Sequence, residues 1–455
     1  MPSDSQESVF TNSVKNLLRD FHDPSDAEDS AIGVALAYFN ELEGESKAKM
    51  SNEANTGEGE KLRIARLANI IYIATQLLKL TEGKNWKETQ VQSSRLLGTL
   101  FLLSSYDGPK ARRLHQRMKP IYKAVLSVRL LDGLLAKDKI THPYILKHFD
   151  SKQRYFSPET EYTEFQQFVV LPMIIANLIQ DVGLFHPKCR EILYGKSGDQ
   201  DEFRVLDKED RILLLRLNYK ATMDYLTKGL GKEKYIGNSK QERIVFNQQQ
   251  DEQMEFMEDL LKGALSPKDG VGNLIKIPQV YTSVVLSTKA KMDLMDLPKA
   301  IFLIDQLAKS GSVDAEAAKT FIKIVGQFPQ GFGVVYCQPD HADNPPDKYE
   351  YAIVNQLNPE KLREPLCRAV TRSLQFTSSG TNLVVTTDAN LYFPSARDLL
   401  SKISKERLEE ILSLLYKESK HGGERELLPH CWNVYDFFSE KRFQNLWNKS
   451  TTKTV

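Results

Sequence analysis

Phe168 to Ile179 is the longest apolar run of the chain. Pro172 and Asn177 interrupt it, and it falls short of the ~20 residues that a bilayer span needs. The run therefore reads as an apolar helix of a soluble protein with no membrane span. It ends in Leu178-Ile179-Gln180-Asp181-Val182-Gly183-Leu184. With 455 residues, 41% hydrophobic and 27% charged, the chain has room for two or three domains with sizeable cores. A formal net charge of +1 gives no general pull toward nucleic acid or anionic membrane. Cys189, Cys337, Cys367 and Cys431 are scattered with no C-x-x-C pair, so neither a zinc site nor a disulfide framework is suggested. The N-terminus lacks the basic-then-apolar plan of a signal peptide. A reduced cytoplasm fits.

Helical periodicity governs the first three quarters. Residues 1–140 read as an N-terminal helical domain, with helices over Val9–Asp20, Ser25–Leu42, Lys61–Thr81, Lys87–Leu103 and Pro109–Leu135. In the third, Leu62, Ala65, Ile70, Ile73, Leu77 and Leu78 mark a packed face. Ser46–Glu60 reads as a polar loop. The turn Asp107-Gly108-Pro109 feeds a helix whose first turns carry Lys110, Arg112, Arg113, His115, Arg117 and Lys119. Two readings of that basic helix stay open: it faces the acidic start of the chain, or it forms an anion or acidic-partner site through Arg112, Arg113 and Arg117.

Residues 141–330 should be a helical bundle. Within it, 237–259 is polar with an apolar beat at Phe246, Met254 and Met257, read as a solvated helix with one core edge, the alternative being a partner-binding helix. After Gly331 the period changes to two. Val334-Val335-Tyr336, Tyr351–Val354, Leu366–Val370 and Leu383–Thr386 predict a small antiparallel β-element over 331–395. Residues 396–455 return to helix and end in an aromatic-rich segment, Trp432 to Trp447, expected to fold back onto a core. The fold class is thus mainly α with a small C-terminal β-appendage.

The segment 178–184 resembles the Leu-Leu-His-Asp-Ile-Gly-Lys stretch of HD-domain phosphohydrolases. Pro278-Gln279-Val280-Tyr281-Thr282-Ser283-Val284, then Leu297–Ala308, then Asp314–Phe328 followed by Pro329-Gln330-Gly331, resemble in order and spacing the C-terminal half of HD-GYP domains, the bacterial cyclic di-GMP phosphodiesterases. The resemblance covers roughly 140–375 and implies an HD-like bundle. In that family adjacent His and Asp bind iron or manganese that activates water. Here Gln180 replaces the His beside Asp181, Gln279 replaces a second ligand, and Leu184 replaces the Lys. Asp269-Gly270-Val271-Gly272 lacks the following Tyr-Pro, and no histidine lies between His186 and His341.

A multi-metal centre cannot be assembled from these residues, so no metal or other cofactor is expected. His142 and His148 read as surface or loop histidines, His186 as structural, and Asp181 as solvated or bonded to a backbone amide. No Gly-rich phosphate loop, G-x-S-x-G elbow or Cys-His-Asn grouping offers another centre. The leading expectation is a catalytically degenerate bacterial signalling module that binds a ligand such as cyclic di-GMP, or a protein partner. The alternatives are a divergent metal-dependent cyclic di-GMP phosphodiesterase using Asp181, or an interaction protein contacting an acidic partner near Arg112. Self-association as a homodimer stays open.

Overall fold

The structure, a computed structural model, describes residues 7–23, 25, 29–48, 56–105, 108–155, 160–267, 270–337, 346–416, 426–448 and 450–455. Five helices come first: α1 (Val9–Phe21), α2 (Ala31–Ala48), α3 (Thr56–Thr81), α4 (Trp86–Leu102) and α5 (Gly108–Leu135). Their starts follow local capping chemistry. Ser8 accepts from the Thr11 amide at 3.1 Å and Asn85 from the Glu88 amide at 2.9 Å, each satisfying a donor that the first helical turn leaves unpaired. Most of the polar loop expected over 46–60 lies outside the described residues.

Next come α6 (Pro143–His148), α7 (Leu171–Ile179), α8 (Pro187–Tyr194), α9 (Lys208–Asp224), α10 (Lys240–Gly263), α11 (Asn273–Val285), α12 (Ala300–Lys309) and α13 (Ala315–Val325). No strand occurs between 141 and 330 among the described residues. Helix α5 is the axis of the bundle and packs against α4, α7, α11 and α13. Its middle, Ile121 to Leu131, is buried almost throughout, as a helix surrounded on several sides must be. One hydrophobic core runs from Val14 to Phe393 and does not stop at residue 140. Gln166–Phe185 is long and apolar enough to cross a membrane by composition, but 67% of its 18-residue apolar window is buried inside the fold. It is the central helix α7 with its flanks.

The sheet follows: β1 (Gly333–Tyr336), β2 (Glu350–Val354), β3 (Leu366–Ala369), the small pair β4 (Thr371–Arg372) and β5 (Gln375–Phe376), and β6 (Asn382–Val384). Then come α14 (Pro394–Leu400), α15 (Lys405–Tyr416), α16 (Tyr435–Ser439) and β7 (Thr452–Thr454). The five-stranded order is β1-β2-β3-β6-β7. The first four pair antiparallel, but β7 joins β6 in parallel, so the appendage is not purely antiparallel and 396–455 is not purely helical. Side chains alternate between two cores. Val334, Tyr336, Ala352 and Val354 face the bundle, while Val335, Tyr351 and Ile353 face a second cluster built with Trp432, Phe437, Phe438 and Phe443. The aromatic tail does fold back: Trp432 stacks on Tyr351 at 4.7 Å and donates from Nε1 to the Ala352 carbonyl at 3.1 Å.

Three details depart from the sequence reading. The packed stripe of α3 begins at Ile70, and Leu62 is exposed. His148 is buried, its Nδ1 2.8 Å from Glu164 and its ring stacked on Phe168, so it is not a surface histidine. The sequence reads Ser395–Lys420 as one helix with Leu399, Leu400, Ile403, Leu408, Ile411 and Leu414 on one side; in the structure 401–404 interrupts it, and Leu399 and Leu414 point outward while Leu400, Leu408, Ile411 and Leu415 pack inward.

Candidate functional site

The site begins with a polar ladder inside the apolar contact between α5 and α7. Ser127 Oγ is 2.9 Å from Asn177 Oδ1. One turn earlier on α5, and three to four residues later past α7, Lys123 meets Gln180 and Asp181. This register follows from helical periodicity, which sets residues four apart on one face. The Lys123 ammonium donates to Gln180 Oε1 and lies 3.6 Å from Asp181 Oδ2. Only 3% of the Lys123 side chain is exposed, against 37% for Asp181, so a buried cation leans on a half-solvated anion. Burial pushes the Lys123 amine below the usual lysine range, Asp181 opposes that shift, and Lys276 on α11 adds to it.

Asp181 also accepts from Asn218 Nδ2 of α9 at 3.3 Å. It receives no backbone cap bond, so its partners are side chains rather than the expected amide. The turn behind it is held tightly. Thr222 Oγ1 donates to the Gln180 carbonyl at 3.2 Å and accepts from the Gly183 amide at 3.1 Å. A Cβ on Gly183 would stand 2.2 Å from the Asn218 carbonyl oxygen, so only glycine permits this approach.

Beside the pair opens a cavity of about 350 Å³ between α1, α5, the end of α7, α8 and the segment after it. Arg113, Arg117, Lys119 and Arg190 supply positive charge, and Asp181 and Glu202 negative charge. Phe21, His22, Phe185, Tyr194 and Phe203 give aromatic surface, with Leu178 and Leu184 beside them. Lys119 is half-buried. Burial pushes its amine down to about 8, Asp181 working against that and Lys123 with it; its Nζ lies 3.2 Å from Gln116 Oε1 and 3.4 Å from Thr288 Oγ1. Pro120 lines the cavity as well, and because proline has no amide hydrogen the preceding turn loses one helical bond there. Arg117 Nε donates to the His22 carbonyl at 2.7 Å.

Two separate candidates from the sequence are therefore one place. Asp181 of the Gln180-Asp181 pair and Arg113 and Arg117 of the basic helix line the same cavity. Arg112 does not line it: it pairs with Asp201 at 3.1 Å and sits over the Phe203 ring. The basic helix is thus faced by an acidic pair at 201–202 rather than by the start of the chain alone. Gln279 lies away from the cavity lining, its carbonyl accepting from Ser283 Oγ within α11. His186 caps α8, its Nδ1 accepting from the Lys188 amide at 3.2 Å, a structural role. His142 stands at the N-terminal boundary of α6 with Nε2 3.4 Å from Asp259.

Sequence reasoning missed Lys123, Asn218, Thr222, Arg190 and Glu202. Lys123 had a signal, a lone lysine within the apolar run Ile121 to Leu126, four residues after Lys119. The iron or manganese that the HD resemblance implies does not suit these donors. An ammonium rests against both the Gln180 amide oxygen and the Asp181 carboxylate, where it repels a dication. A carboxamide is also a poor ligand for such metals, and no group of three or more His, Cys, Asp or Glu that could hold a metal occurs among the described residues.

No family model matches this chain, and no curated protein or solved structure matches it either.

Proposed function

We propose that this protein is a non-hydrolytic binding module, a degenerate HD-GYP-like signalling domain that takes a phosphate-bearing nucleotide in the cavity beside Asp181. One observation carries the reading: Lys123 places its amine against Gln180 and Asp181, where the resemblance implies a metal. A lysine held in the folded chain neutralises the carboxylate but presents no water of lowered pKa, so the attacking hydroxide that such hydrolysis depends on is not generated.

The cavity walls support a nucleotide as the ligand class. Arginine and lysine side chains pair with phosphate oxygens, and aromatic faces accept a base by stacking. A volume of about 350 Å³ is in the range of small-ligand pockets and seats one nucleotide unit of such a ligand. Cyclic di-GMP is the first ligand to test because the family resemblance points to it.

The test follows binding and chemistry in one sample. Cyclic di-GMP is expected to bind saturably by calorimetry while chromatography finds no linear product, with or without added manganese. Turnover that scales with protein concentration and vanishes in Asp181→Asn would refute the reading.

A further inference from the structure

The segment between α8 and α9 is latched over the cavity by acidic side chains. Asp201 pairs with Arg112 at 3.1 Å, Glu202 with Arg113 at 3.5 Å, and Phe203 packs under the Arg112 guanidinium at 5.2 Å. Glu202 and Phe203 themselves line the cavity, and Tyr194 Oη donates to Glu202 at 2.9 Å. The segment is pinned at its base, because Arg204 bonds the carbonyls of Ile192 and Leu193 at the end of α8. Between these anchors Gly195 and Gly198 both hold positive φ, 75° and 77°, a backbone that other residues adopt at a cost.

From this geometry we infer that residues 195–203 form a lid, and that the Glu202 carboxylate occupies the anion position of the cavity until a ligand phosphate displaces it. The inference rests on the anion-binding reading above and adds how that binding is gated and what sets its selectivity. A carboxylate facing Arg113 at the mouth of a basic cavity is a built-in stand-in for the ligand. Each latch pair has one solvent-open member, Arg113 at 72% and Asp201 at 53% exposed, so water and salt screen both pairs and lower the cost of opening them. A ligand that brings two phosphodiester charges, or a pyrophosphate, competes better for the basic cavity than one monoanionic carboxylate. Glu202 thereby screens out weak, singly charged ligands.

The test uses the full chain, inorganic pyrophosphate and cyclic di-GMP as probes, and hydrogen exchange of 195–203 as the lid readout. Glu202→Gln should tighten pyrophosphate binding about fivefold at fixed ionic strength, the scale of one exposed charge pair. Exchange in 195–203 should rise when a probe binds to wild type, and it should rise without any probe in 0.5 M sodium chloride, which screens the latch. Binding to wild type that is unchanged or weaker in Glu202→Gln overturns the lid and leaves the anion reading standing. So does exchange unmoved by salt and probe in a protein that binds. No binding of either probe to wild type or variant overturns both.

Discussion

At the scale of single residues, the Lys123–Asp181 contact is a buried cation with one half-exposed partner. Removing one member of such a pair leaves the other uncompensated, so Asp181→Asn is expected to cost about 1–2 kcal/mol at pH 7, the exposed carboxylate being partly screened already. Urea denaturation measures this; a variant as stable as wild type would mean that Lys123 is satisfied by Gln180 alone. Lys119 gives a pH signature. Its amine is held down to about 8 in the fold against an ordinary value of 10.5, so between those values the unfolded chain binds a proton that the folded chain has released. Stability should therefore rise with pH across about 8 to 10.5, and Lys119→Met should flatten that rise in a difference plot of melting temperatures. This part of the site was only half legible in the sequence. Asp181, Arg113 and Arg117 stand out as charges in informative places, whereas Lys123, Asn218 and Glu202 become partners only when helices distant in sequence are laid side by side.

At the scale of elements, the site depends on how closely the turn after α7 approaches α9. Gly183→Ala would drive a methyl group into the Asn218 carbonyl at 2.2 Å, forcing α9 away. A loss of about 2–4 kcal/mol is expected, together with disruption of the Asn218–Asp181 bond, followed by denaturation and by the amide spectrum of Asn218. An unshifted Asn218 side-chain resonance would contradict this. The helices themselves were readable because capping residues and apolar periods are local signals, and Val9, Thr81 and Leu135 end their helices within the described fold at the expected positions. The parallel strand β7 was not readable, since Thr452–Thr454 is polar and exposed and its pairing with β6 is a long-range choice. In α11, Tyr281 is fully buried against Phe321, while its neighbour Val280 is only partly buried.

At the scale of the whole molecule, the core crosses residue 140 because α5 is shared. A charge network reinforces this. Glu82 after α3 binds Arg129 of α5 at 2.6 Å and Arg154 at 2.7 Å, and Asp132 binds Arg154 at 2.7 Å, all with side chains nearly inaccessible. Burial alone would raise the Glu82 carboxyl, and the two guanidiniums hold it well below its usual range. A fragment of residues 141–455 lacks α5 and, with Glu82, Arg129 and Asp132, every partner of Arg154 in this network, so it is expected to remain unfolded by near-ultraviolet circular dichroism. A fragment that folds cooperatively would show that the helical regions on either side of residue 140 are independent.

The central claim is that the cavity beside Asp181 binds a phosphate-bearing nucleotide through α5. Calorimetric titration of cyclic di-GMP at fixed salt into wild type and into the Arg117→Glu/Lys119→Glu double variant tests it most directly. Both side chains are partly exposed on the cavity wall, and the melting transition of the variant, recorded alongside, shows whether the fold survives the reversal of charge. Saturable one-site binding to wild type, lost in a folded double variant, is the predicted result; equal affinity in both proteins would contradict the account.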